Sequence, residues 1–195
     1  MPGMSQSCTD FRTPSRRRGA YRRTLGACVA AVMLWCSSAC TPALNWREVR
    51  FENARLTGWL PCKPDRAQRT VQLQGQPVQL TLMGCQADNM DFTLAQLDLP
   101  AGMTAGQAQQ AWKTANLASL QVQAEVPSQA WTLAGASPVM APQQAMARGG
   151  QGLAARWAWF AYDGQLYQAA VYARGSRTAQ AEQAMDGLLS GLRLP

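Results

Sequence analysis

"LAARWAWFAYDGQLYQAAVYARG", Leu153 to Gly175, carries the strongest structural signal in this chain of 195 residues. Asp163-Gly164 stands between two aromatic-rich runs. A two-residue type I′ turn needs positive φ at both central positions, and Asp-Gly tolerates that. The turn sets a register in which Phe160 faces Tyr167 and Trp159 faces Gln168. Trp157, Trp159 and Ala161 then share one face, while Ala158, Phe160 and Tyr162 share the other. Both faces are apolar, so the hairpin is expected at the centre of an antiparallel sheet covered on both sides.

Downstream, Ala181, Ala184, Met185, Leu188 and Leu192 recur at helical spacing, with Thr178 expected as the N-cap. Gly187 and Gly191 weaken this helix and permit close packing against it. Upstream, Thr104-Ala105-Gly106-Gln107 fits a capping box, in which hydroxyl and amide satisfy each other's backbone N–H groups. A helix is expected from Thr104 to about Ala118, with Trp112 as its core anchor. "WREVRF" from Trp46, "RLTGWLP" from Arg55 and "DFTLAQLDLP" from Asp91 read as extended segments, the last stopped by Pro100. Between residues 119 and 152, Leu120, Val122, Ala124 and Val126 alternate and "QAWTLAG" reads as a short strand. Pro138, Pro142 and "RGGQG" favour irregular structure there.

Trp59 to Cys85, "WLPCKPDRAQRTVQLQGQPVQLTLMGC", reads as a second hairpin. Val71 and Leu73 alternate with Gln72 and Gln74, and Val78, Leu80 and Leu82 with Gln79 and Thr81, leaving one apolar face. A turn centred on Gly75–Gln76 puts Cys85 opposite about position 66, with Cys62 four residues further out. If "CKPDR" bends back, a Cys62–Cys85 disulfide closes a loop of about 24 residues and contributes about 3.5 kcal/mol by loop entropy. Two reduced, buried cysteines are the alternative. The pair is not a Cys-x-x-Cys, so a structural staple is expected rather than redox chemistry.

The first forty residues differ from the rest. Six arginines precede the apolar run "LGACVAAVMLWCSSAC", as in a secretory signal, and Leu25 to Trp35 is far too short to span a bilayer. Ser37-Ser38-Ala39-Cys40 resembles the lipobox of bacterial lipoproteins, with Ser37 where that family usually has Leu. The resemblance implies cleavage before Cys40 and acylation of its sulfur. It also implies outer-membrane sorting, because Thr41 rather than Asp follows the cysteine. Tyr21-Arg22-Arg23-Thr24-Leu25 resembles a twin-arginine export signal, except that Gly26 replaces a hydrophobic residue. Removal of residues 1–39 discards Cys8, Cys28 and Cys36, commits Cys40 to lipid and leaves Cys62 and Cys85 as an even pair. The expected organisation is a lipoprotein signal peptide over 1–39, a lipidated cysteine and short tether over 40–45, and a single domain over 46–195. The tether Thr41 to Asn45 reaches at most ~18 Å, so that domain rides close to the membrane.

The net charge of +7 is mostly leader: six of the 18 basic residues and one of the 11 acidic ones precede residue 40, leaving 12 against 10. That balance offers no electrostatic footprint for nucleic acid. The chain has no histidine. This removes Ser-His-Asp and Cys-His nucleophile activation, imidazole bases and His-based zinc sites. Carboxylates are few and show no glycosidase-like pairing. Asp88-Asn89-Met90-Asp91 lacks the spacing and glycine of a calcium loop, and Arg148 to Gly152 lacks the Gly-Lys-Ser/Thr of a phosphate loop. No catalytic residue, metal or cofactor is therefore assigned. Trp112 and one of Trp157 and Trp159 are expected in the core; Trp46, Trp59 and Trp131 are open to core, glycan or lipid roles.

Strands grouped together with two main helices imply an α+β sandwich on an antiparallel sheet. The early "WLPCKP", the hairpin "WFAYDGQLYQAAVY" and the closing "EQAMDGLLSGLRLP" resemble, in layout, the PsbP-like fold, including DcrB-like bacterial lipoproteins. That resemblance implies a fold and an envelope location and carries over no catalytic residue. The expected function is a non-enzymatic, periplasm-facing lipoprotein that binds or scaffolds an envelope component. The alternatives are a glycan- or peptidoglycan-binding module using exposed Trp and a carboxylate-based hydrolase. The expected partners are the membrane, through the N-terminal lipid, and an envelope protein or glycan.

Overall fold

The computed structural model of the chain describes residues 44–51 and 56–195; the expected signal peptide over 1–39, Cys40 and Thr41 to Ala43 lie outside the described residues. Two strands, β1 (Arg47–Arg50) and β2 (Thr57–Leu60), form an antiparallel ribbon. The remaining strands, β3 (Asp65–Leu73), β4 (Gln76–Ala87), β5 (Met90–Asp98), β6 (Gln129–Ala130), β7 (Gln143–Arg148), β8 (Leu153–Tyr162) and β9 (Gln165–Arg174), build one sheet in the order β3-β4-β5-β9-β8-β7-β6. Helix α1 (Ala105–Ser119) follows β5, and α2 (Thr178–Ser190) follows β9. All pairings in the sheet are antiparallel. The expected α+β sandwich is what forms.

The β8–β9 hairpin has the expected register, with Phe160 opposite Tyr167 and Trp159 opposite Gln168. Asp163 and Gly164 take φ of 48° and 73°, as a type I′ turn requires. Period-2 alternation sends Trp157, Trp159, Ala161, Leu166 and Ala170 into a core under α1. Phe160, Tyr167, Ala169 and Val171 point the other way, into a core under α2 and the ribbon. Trp157 and Trp159 are both fully buried, where one of them was expected.

The β3–β4 hairpin departs from expectation by two residues. Gln74 and Gly75, at φ of 50° and 80°, form the turn, and Leu73 pairs with Gln76. Glycine takes the second turn position, so the ladder ends at Asp65–Gly84 and Cys62 and Cys85 lie just beyond it. Their disulfide spans a Cα–Cα distance of 5.9 Å. A slip of two residues preserves the faces, which is why the apolar pattern could not reveal it.

In α1 the Thr104–Gln107 capping box forms as expected and Trp112 is buried. The run from Leu120 to Val126 is not a strand. Lys113, itself buried, donates from its ammonium to the Val126 carbonyl and to Ser128 Oγ, holding this loop against α1. Only Gln129–Ala130 of "QAWTLAG" is strand. Gln143–Arg148 was expected to be irregular and is a strand. Its inward residues Ala145 and Ala147 are too small to signal a strand, yet their size leaves room for the Trp157 indole opposite Ala145. Thr178 begins α2 rather than capping it. A 3-10 turn over Gly175–Arg177 leads directly into the helix, so Arg177 holds the cap position without a side-chain cap bond.

Candidate functional site

Gly187 in α2 and Gly191 at its C-cap lie one turn apart, and the ribbon fills the space they leave. A Cβ on Gly187 would lie 2.9 Å from Trp46, and one on Gly191 would lie 2.8 Å from Trp59. The two glycines therefore let both indoles lie against the helix. Trp46 also meets Phe92 edge-on at 6.2 Å between ring centres. Trp59 points away from the core, cross-strand from Glu48, and is 47% exposed.

Bonds within the ribbon and from it to the rest of the domain hold it in place; among the latter, Arg66 of β3 donates to the Arg50 carbonyl at 2.9 Å. Asn45 donates its N–H to the Pro61 carbonyl at 2.8 Å, closing the open end. Thr57 and Arg193 exchange backbone bonds of 3.0 and 2.9 Å, joining β2 to the chain just past α2. The Cys62–Cys85 bridge ties Cys62, two residues past β2, to β4. The staple thus fixes the ribbon to the sheet.

Between ribbon and helix runs a groove of about 740 Å³. Leu44, Trp46, Trp59, Met90, Ala184 and Gly187 supply its apolar lining. Gln180, Gln183, Ser190, Asp88 and Asp186 supply polar atoms. Both carboxylates are ion-paired: Asp88 with Arg177 at 2.6 Å and Asp186 with Arg156 at 3.3 Å. The groove can therefore take an amphipathic, uncharged or zwitterionic surface. The sequence left Trp46 and Trp59 open to glycan or lipid roles and showed the close packing that Gly187 and Gly191 permit, but it could not join them into one site because they lie far apart in the chain.

The other singled-out residues have structural settings. Asp88 and Asn89 form the β4–β5 turn at φ of 50° and 58°, and Asp91 accepts from Gln86. No three His, Cys, Asp or Glu residues cluster as metal ligands among the described residues. Gly149, in "RGGQG", packs against the Leu120 backbone. Trp131 is half-buried, edge-on to Phe160, and donates to the Gln143 carbonyl at 3.2 Å. The Tyr167 phenol is pushed up to about 12, mainly by burial, and Tyr172 is raised by burial as well.

No family model matches the chain, and no curated protein matches it. Among solved structures, the domain is similar to the solution structure of cyanobacterial PsbP (CyanoP) from Synechocystis sp. PCC 6803. The TM-score is 0.51 at 12% identity, over 82% of this chain and 99% of that one. At that identity the likeness speaks for the fold alone, and it agrees with the antiparallel sheet and two helices seen here: the domain has a PsbP-like fold.

Proposed function

We propose that the protein is a non-enzymatic lipoprotein of the DcrB-like kind. On this reading it is anchored through Cys40 on the periplasmic face of the outer membrane, where it binds or scaffolds an envelope component. The observation that carries the binding role is the groove in which Trp59 stands 47% exposed beside Trp46. Support for the anchor comes from the basic leader, the short apolar run and Ser38-Ala39-Cys40. The Cys62–Cys85 bridge fits an oxidising compartment. The chain lacks histidine and both groove carboxylates are engaged by arginine, which favours recognition over catalysis. The intact mass of protein taken from membranes tests the anchor. It is expected to report cleavage before Cys40, added acyl chains and two hydrogens lost to the disulfide. An unmodified, soluble form with free thiols would overturn the proposal.

A second reading keeps the groove and changes the ligand. Gln180, Gln183 and Ser190 set hydrogen-bonding groups beside an exposed indole, an arrangement that suits a sugar ring. Titration of the protein with soluble peptidoglycan fragments, followed by Trp fluorescence, is the test. A saturable change that Trp59→Ala abolishes would favour the glycan.

A further inference from the structure

We infer that the Trp46–Trp59 groove is the face by which the domain seats itself in the headgroup region of the phospholipid bilayer. The inference rests on the lipid anchor proposed above and names the partner of the same groove. Its first support is where the chain enters the domain. Leu44, the first described residue, itself lines the groove. The segment Thr41 to Asn45 reaches at most ~18 Å, so an acylated Cys40 keeps this face within a short distance of the membrane surface.

The second support is chemical. Indoles concentrate at the membrane interface because one edge is apolar and the N–H stays wet. Trp59 is the most exposed aromatic among the large apolar side chains of the described residues. Partly exposed Leu44 continues that apolar strip over buried Met90, and neither of the other exposed large apolar residues, Val139 and Met146, lines the groove.

The third support is charge. Asp88 and Asp186 would be repelled by phosphate if free, and each is held by an arginine. On the ribbon, Glu48 is taken up by Arg50 at 2.9 Å. Exposed Arg47 and Lys63 flank the ribbon end where Asn45 bonds Pro61, beside the exposed acid Asp65 and the Arg50-paired Glu48. Such cations favour anionic headgroups. Seated this way, the domain turns the α1 side of its sheet toward the periplasm.

The test uses the full mature lipoprotein, purified from membranes and reconstituted in phosphatidylethanolamine–phosphatidylglycerol vesicles with brominated acyl chains. Brominated lipid is expected to quench part of the Trp emission, and Trp59→Phe is expected to lose most of that quenching at unchanged Tm. Trp59→Leu, measured by lipid-dependent protection of the groove from oxidation, serves as the second variant. Equal quenching in wild type and Trp59→Phe, with acyl chains present by mass, would overturn the seat and leave the anchor standing. Emission that answers to peptidoglycan fragments and not to brominated lipid would overturn it in favour of a glycan. A mass without acyl chains would overturn the anchor, and the seat with it.

Discussion

Two pairs of tryptophans sit on opposite sides of the same sheet and live under different rules. Trp157 and Trp159 stack at 6.0 Å between ring centres, fully buried beneath α1. Trp46 and Trp59 lie on the other side, against bare glycine positions of α2, with Trp59 half in solvent. The first pair is held by strand alternation within one hairpin. The second is assembled from the start of the domain and its last helix. Identical side chains thus serve cohesion in one place and contact in the other, and burial rather than residue type separates them.

The largest expected effect falls on the buried pair. Trp157→Ala removes a filled core volume and the N–H that bonds the Tyr172 hydroxyl at 3.1 Å. It should cost about 3–5 kcal/mol in denaturant unfolding. A loss below about 1 kcal/mol would break the contrast between the pairs. Next comes the staple. The double change Cys62→Ser, Cys85→Ser should lower stability by about 3.5 kcal/mol. Limited proteolysis of this variant should cut first near the ribbon, since the bridge is its covalent link to the sheet.

A smaller effect tests the α2 side. Tyr167 stacks on Phe160 at 5.2 Å, and its phenol ionises near pH 12 in the folded chain against 10.0 in the open one. A raised folded value means that stability is complete below pH 10 and declines as pH rises from 10 toward about 12. Denaturation midpoints measured across that window should fall, and those of Tyr167→Phe should fall less. The smallest effect belongs to the exposed indole. Trp59→Ala should change unfolding free energy by no more than about 1 kcal/mol while it alters surface binding. A large loss would mean that the groove exists for cohesion after all.

Legibility follows the same division. The β8–β9 hairpin could be read in register because Asp-Gly marks the turn and both faces are apolar. The capping box of α1 was legible because it is local. The β3–β4 register slipped by two because its faces repeat with period 2 and the Gln-Gly turn is less marked. Strand β7 was hidden by its small inward alanines, of which Ala145 makes sense only opposite Trp157. The groove was hidden more deeply: Trp59 and Gly191 meet only after the whole chain has folded, and no local pattern encodes that meeting. The Cys62–Cys85 bridge was legible because few cysteines remain once residues 1–39 are set aside as the expected leader.

The exchange of bonds between Thr57 and Arg193 has a consequence for timing. Synthesis delivers the ribbon before the sheet, and Arg193 only after the sheet and α2. The ribbon can close in this way only after Arg193 is made, so the contact surface forms later than the strands of the sheet it lies against. A truncated product could complete its hairpin and sheet and still carry no groove.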